Sequence, residues 1–164
     1  MKTKVLSLIV DNTAGVLSRV SGMFSRRGYN IDSLSVGVTE NPKISRMTVV
    51  VTGDDKILSQ IKSQLNKLED VRSVIELKDG ESVTRELVLI KIKADANERQ
   101  QIISIANVYR ANIVDVSPES IIVEITGNNN KVEAFMSLLE GFEIQELVRT
   151  GATGLVRGRA ESDE

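Results

Sequence analysis

Cysteine, histidine and tryptophan are absent from this 164-residue chain, and proline occurs only twice. Without cysteine there are neither disulfides nor thiolate metal sites. Without histidine the commonest general base and the commonest metal ligand are both missing. Any catalytic set would have to be assembled from carboxylates, lysines and serines. Aromatic residues make up 3% of the chain, so the core must be built from Val, Ile and Leu. Charge of one sign is also lacking: the formal net charge is −2, which offers no basic face for nucleic acid. No apolar run approaches the ~18 residues of a membrane span. The run Val5–Val10 follows two lysines but stops at Asp11, too short for a signal peptide and suited to a buried strand. The expected location is cytoplasmic. What is present, 41% hydrophobic and 27% charged residues, reads as a folded globular chain. The length suits one ordinary domain or two small ones.

The apolar pattern occurs twice. Lys4–Val10 reads as a strand, and Ala14–Arg27 places Val16, Leu17, Val20, Met23 and Phe24 on one helical face, stopped by Gly28. Leu34, Val36 and Val38 alternate in a second strand, "ENPK" (Glu40–Lys43) is a turn, and Met47, Val49 and Val51 alternate in a third. Asp54 caps a second helix carrying Ile57, Ile61, Leu65 and Leu68, and Val71, Ile75 and Leu77 mark a fourth strand. After the polar "KDGES" (Lys78–Ser82), the same order returns. Val88, Ile90 and Ile92 form a strand, and Asp95 with Glu98 is a capping-box signature before a helix through Ile102, Ala106 and Tyr109. Ile113–Val116 and Ile121–Ile125 flank the turn "SPES", a helix follows through Val132, Phe135, Met136 and Leu139, and Ile144–Val148 ends the pattern. Pro42 and Pro118 fall in the same turn of each half.

The fold class is therefore α+β: two ferredoxin-like βαββαβ domains, residues 1–78 and 79–164, each an antiparallel sheet with its helices on one face. Units this small have marginal cores. The stretch "VLSLIV" carries apolar residues on both strand faces, which predicts pairing of sheets or edges.

Chemistry is concentrated in one turn. Asp11, Asp32, Asp54, Asp55, Asp95 and Asp115 sit at caps and turns, where short acidic residues are ordinary. "GNNNK" (Gly127–Lys131) lacks the second glycine and the Ser/Thr of a phosphate loop and reads as a capped helix start. Arg26–Arg27 suits a solvated helix C-terminus. "GATGLVRG" (Gly151–Gly158) is either a flexible tail or a segment that orders on a partner, and the last six residues are expected to be disordered. "DNTAGVLSRV" (Asp11–Val20) is different. Asp11, Asn12 and Thr13 all offer caps, and Gly15 follows in what reads as the first helical turn. Glycine there weakens a helix by roughly 1 kcal/mol relative to alanine. It leaves the amides open to a carboxylate, aided by the helix dipole. Asn12 is either a helix cap or a ligand contact. Asn30, in "GYNI", lies at the far end of the same helix and reaches this turn only from a second chain packed antiparallel.

These residues resemble a known family. "DNTAGVLSRVSGMFSRRGYNIDSLSVGVTE", "ISRMTVVVTGDD", "QLNKLEDV" and the terminal "GATGLVRG" are similar, in order, to the small regulatory subunit of acetolactate synthase (acetohydroxyacid synthase), from Met1 to about Gly158. The resemblance implies an N-terminal ACT domain that binds an amino-acid effector and dimerises, and a non-catalytic role. It implies a catalytic large subunit as partner, carrying thiamine diphosphate, magnesium and FAD, in branched-chain amino-acid biosynthesis. It further implies stimulation of that subunit and allosteric feedback inhibition by valine. The family's effector turn maps onto Asn12, Gly15, Val16 and Leu17, with Asn30 and Ile31 from the neighbouring chain. A free-standing amino-acid-sensing ACT regulator would share the first domain but not the terminal motif. An RNA-binding ferredoxin-like module would need exposed strand aromatics and a basic surface, and a histidine-phosphorylating nucleotide kinase would need a histidine.

Overall fold

A computed structural model describes residues 1–158. The expectation of disorder in Arg159–Glu164 lies outside the described residues. The chain divides into two units, Met1–Thr84 joined by the segment from Ala152 onward, and Arg85–Gly151.

The first unit runs β1 (Lys2–Asp11), α1 (Val16–Arg27), β2 (Ile31–Val38), β3 (Ile44–Gly53), α2 (Asp55–Asn66) and β4 (Val71–Glu76). Its sheet has the order β2-β3-β1-β4, with all neighbours antiparallel, the ferredoxin-like arrangement predicted from the pattern. The strand period of two puts Leu6, Leu8 and Val10 on the same face as Met47, Val49 and Val51. That face buries them against Val20, Met23 and Phe24 of α1 and Leu58, Ile61 and Leu65 of α2. Each such fully buried side chain contributes about 1.5–3 kcal/mol.

On the opposite face the row Ser35, Thr48 and Ser7 crosses three strands. Ser7 and Thr48 are each only 1% exposed. The Ser7 hydroxyl is paired, since Arg46 Nη1 donates to Ser7 Oγ at 2.7 Å, and in the same row Ser35 Oγ donates to the Ala152 carbonyl at 3.1 Å. This second bond ties the end of the chain to the first unit's sheet.

The second unit repeats the order with β5 (Ser82–Lys93), α3 (Ala96–Val108), β6 (Asn112–Val116), β7 (Ser120–Gly127), α4 (Asn129–Leu138) and β8 (Ile144–Arg149). Its strands lie β6-β7-β5-β8, also antiparallel. Val88, Ile90 and Ile92 face Ile125, Val123 and Ile121 across the register and pack on Ile102, Ala106, Val132, Phe135 and Leu139. Each unit holds one edge-to-face aromatic pair, Phe24 with Tyr29 at 6.4 Å and Tyr109 with Phe135 at 5.6 Å.

Two expectations meet a different arrangement. The sequence pattern divides the chain at residues 78/79 and leaves a flexible tail on the second domain, whereas the structure divides it at Thr84/Arg85 and returns the tail to the first unit. Lys78–Ser82 is a closed turn rather than a linker: Glu81 N and Ser82 Oγ both donate to the Lys78 carbonyl, at 3.2 and 2.7 Å. The tail contains a strand, β9 (Thr153–Val156), which pairs with β5, and Arg157 N donates to the Glu81 carbonyl at 2.8 Å. Gly154 permits that approach, since a Cβ there would lie 2.6 Å from the Val83 carbonyl oxygen and 2.8 Å from Thr84 Cγ2. Backbone cannot move aside as a flexible side chain can. Gly154→Ala is therefore expected to lower the denaturation midpoint, at a cost of about 1–3 kcal/mol. Gly141→Ala, where nothing lies within 4 Å, should leave it unchanged. Equal midpoints for the two variants would contradict the tight seating of the tail.

Candidate functional site: the turn between β1 and α1

β1 leaves the sheet between its two neighbours. Asp11 N donates to the Asp70 carbonyl at 2.9 Å, just before β4, and Asn12 N donates to the Lys43 carbonyl at 2.8 Å, just before β3. The Asn12 side chain makes a second bond to the same loop, Nδ2 to the Pro42 carbonyl at 2.8 Å. Asn12 therefore does not cap α1. It fastens the β2–β3 turn to the end of β1, and its exposed side chain presents the remaining amide oxygen beside the turn.

The cap position belongs to Gly15, which is left-handed at φ 84° and ψ −2°, and no side chain caps the helix. Gly15 thus precedes the first turn rather than lying within it. The left-handed conformation costs about 1–2 kcal/mol for a residue with a Cβ. Val16 N reaches the Thr13 carbonyl only at 3.4 Å, and Arg19 N bonds the Gly15 carbonyl at 2.9 Å. Among the described residues the amides of Leu17 and Ser18 have no acceptor, and the first turn holds no acidic residue. Two exposed amides at the positive end of a dipole favour an anion. The other three helices fill the same positions themselves. Asp54 accepts from Ile57 N, Asn128 accepts from Lys131 N, and Asp95 and Glu98 form the reciprocal box predicted from their spacing.

An unpredicted ion pair lies against the turn. Arg19 Nε is bonded to the Asp70 carboxylate, and Arg19 Nη2 donates to the Ala14 carbonyl at 3.3 Å. The hydrogen bond that Arg19 donates to the Asp70 carboxylate holds its guanidinium above its ordinary pKa. A Cβ on Gly15 would lie 2.9 Å from Arg19 Nη1. Arg72 pairs with Asp11 at 2.5 Å, so the base of the turn is braced as well. The available signal for Arg19 was its position one helical turn after Gly15. Nothing in the pattern pointed to Asp70, which is 51 residues away.

The predicted site residues fall into two groups. Asn12, Gly15 and Leu17 surround the turn, with Leu17 45% exposed, while the Val16 side chain is buried in the core and offers only its backbone. Asn30 and Ile31 lie beyond the other end of α1, whose 12 residues span about 18 Å. Asn30 Nδ2 donates to Asp32 Oδ1 at 3.1 Å, and Ile31 packs at the core margin opposite Val51. One chain does not bring the two groups together. Among the described residues no group of three or more Asp or Glu could hold a metal ion, and no helix is long and apolar enough to cross a membrane.

Two ferredoxin-like units in one chain, the first opening on an uncapped left-handed glycine turn, define an α+β protein of repeated βαββαβ architecture. Comparison with known proteins makes the class specific. Residues 6–73 match a family described as the AHAS small subunit-like ACT domain, and residues 85–158 match one described as the small subunit of acetolactate synthase. The acetolactate synthase small subunit of Mycobacterium bovis is 52% identical over 157 residues, covering 96% of this chain and 94% of that protein. A probable acetolactate synthase small subunit of Methanothermobacter thermautotrophicus is 48% identical, covering 95% and 94%. The crystal structure of the acetolactate synthase small subunit from Thermotoga maritima superposes with a TM-score of 0.87 at 39% identity, covering 98% of this chain and all of that one. The chain belongs to the acetolactate synthase small-subunit family.

The geometry couples Gly15 and Asp70 through Arg19. Gly15→Ala is expected to cost about 1–2 kcal/mol from backbone conformation and to push Arg19 from Asp70. Asp70→Asn weakens the same pair. Their effects on denaturant stability should be non-additive by about 0.5 kcal/mol or more, as for residues sharing a partner. Strict additivity in the double-mutant cycle would contradict the shared role of Arg19.

Proposed function

We propose that this chain is the non-catalytic regulatory subunit of acetolactate synthase. It raises the activity of the thiamine-diphosphate-dependent large subunit and confers feedback inhibition by valine on branched-chain amino-acid synthesis. The observation that carries the effector reading is the Gly15 turn, where the amides of Leu17 and Ser18 are left without acceptors beside an exposed Leu17 side chain. A free amino acid supplies the complement: its carboxylate accepts from the amides, and an aliphatic side chain contacts Leu17. Asn12 contributes its amide oxygen toward the ammonium group. Thiamine diphosphate, magnesium and FAD belong to the large subunit, and the chemistry of condensation with them.

The effector site is completed by a second copy of the chain. Two ACT domains related by a two-fold axis, with antiparallel α1 helices, bring Asn30 and Ile31 of one copy to Asn12 and Gly15 of the other and form two equivalent sites. A chain that remains monomeric and binds valine with undiminished affinity would contradict this arrangement.

Valine at a hundred times its dissociation constant is expected to add about 2.7 kcal/mol to stability, raising the melting temperature by several degrees. Leucine and isoleucine act more weakly, and aspartate does not act. An unchanged melting temperature with all three branched-chain amino acids would overturn the effector reading.

Gly15→Asp is expected to abolish inhibition by valine while sparing stimulation of the large subunit. Its carboxylate occupies the ligand's position, and each charge-assisted hydrogen bond lost is worth about 1.5–3 kcal/mol, a tenfold or greater loss of affinity. Aspartate tolerates the left-handed region better than most residues, so the fold survives. Acetolactate formation by the reconstituted enzyme, with and without valine, reads both properties. A variant that stimulates normally and responds to valine at the wild-type concentration would remove Gly15 from the site.

A further inference from the structure

The two units differ on the helix-free face of their sheets, although Ile75, opposite Ser7, is exposed in the first as well. In the first, Ser7 and Thr48 are closed off from solvent. In the second, the corresponding face presents Leu89, Ile122 and Val148, with Val148 58% exposed. A shallow depression of about 340 Å³ lies over it, lined also by Lys91, Glu146 and Leu147. That volume is at the low end for a small-molecule pocket, and this depression is open. It suits one or two apolar side chains of a polypeptide. All six residues of β8 are exposed, so nothing among the described residues covers that edge.

The charges around the patch are uneven. Lys91 is neutralised by Glu146 at 2.8 Å. Asp115 lies opposite Ile122 across the β6–β7 register, and Glu124 is two residues along β7 on the same face. Among the described residues neither Asp115 nor Glu124 takes part in an ion pair. Asp115 also lies within electrostatic reach of Lys91, so a single lysine faces three carboxylates, and the net negative surround of Ile122 would repel a second copy of the same face. It would attract apolar side chains flanked by Lys or Arg. Membership of a small-subunit family implies a catalytic large subunit as the partner.

We propose that the open face of the β6-β7-β5-β8 sheet docks a basic-flanked apolar segment of the large subunit, held by Ile122 and Leu89 and oriented by Asp115 and Glu124. The contact is separate from the Gly15 turn, so it concerns assembly rather than effector sensing. Rim charges of this kind act on association rate and salt dependence, and the apolar centre acts on dissociation.

The test is the affinity of the full chain for purified large subunit, measured by sedimentation at low and high salt. Asp115→Lys with Glu124→Lys, at surface positions that leave the core intact, is expected to weaken binding tenfold or more at low salt and to flatten the salt dependence. Ile122→Asp, checked for an unchanged melting temperature, should weaken binding at both salt concentrations. Wild-type affinity in the charge-reversed protein would overturn the proposal, as would a change confined to self-association or an absence of wild-type binding. Binding that follows this pattern without stimulation of acetolactate formation would support the docking face while contradicting the regulatory reading.

Discussion

The register of β1 between β3 and β4 determines where the chain can leave the first sheet. Ten consecutive pairs, Lys2 with Gly53 through Asp11 with Ile44, hold β1 on one side, and β4 holds it on the other. At the end of that strand the backbone amides of Asp11 and Asn12 are committed to Asp70 and Lys43. The connection to α1 must then reverse within three residues, Thr13 to Gly15. A left-handed residue at Gly15 achieves this, and the conformation leaves no side chain at the cap. The uncapped amides are thus a consequence of sheet register, and Arg19 fills the space that a Cβ would have taken.

Duplication makes the contrast instructive. Both units are built from the same topology and the same aliphatic core, yet the equivalent turn of the second unit is closed by Asp95 and Glu98, which satisfy each other's backbone amides. A helix start that satisfies itself has no surplus affinity for a carboxylate. The second unit differs in the other direction at its sheet face, where apolar and acidic side chains remain open to solvent. The first unit has its open donors at the end of its sheet, and the second has its open apolar area on the face. On the proposed reading, sensing falls to the first unit and assembly to the second.

Much of the fold was legible from periodicity because the core relies on alternation in strands and helical spacing, as in Val88, Ile90 and Ile92 or Ile57, Ile61 and Leu65. Caps made by a residue's own side chain were legible too, since Asp54, Asp95 and Asn128 act within three positions of themselves. Asn12 was not, because its bond partner, Pro42, is 30 residues distant and depends on strand pairing. The Arg19–Asp70 pair and the short strand at Thr153–Val156 escaped for the same reason. Glycines in "GATGLVRG" read as flexibility, whereas Gly154 is there because the backbone of Val83 comes too close for any side chain. Proximity in space, rather than local propensity, decided each of these cases.

The central claim is that the Gly15 turn receives the carboxylate of an aliphatic amino acid. Backbone amide chemical shifts followed during titration of the full chain with valine test it most directly. The account predicts that the largest saturable changes fall on Gly15, Leu17 and Ser18, whose amides lie at the turn, with smaller ones at Asn30 and Ile31. Saturable shifts centred on the second unit, or none at the turn while valine binds, would contradict it.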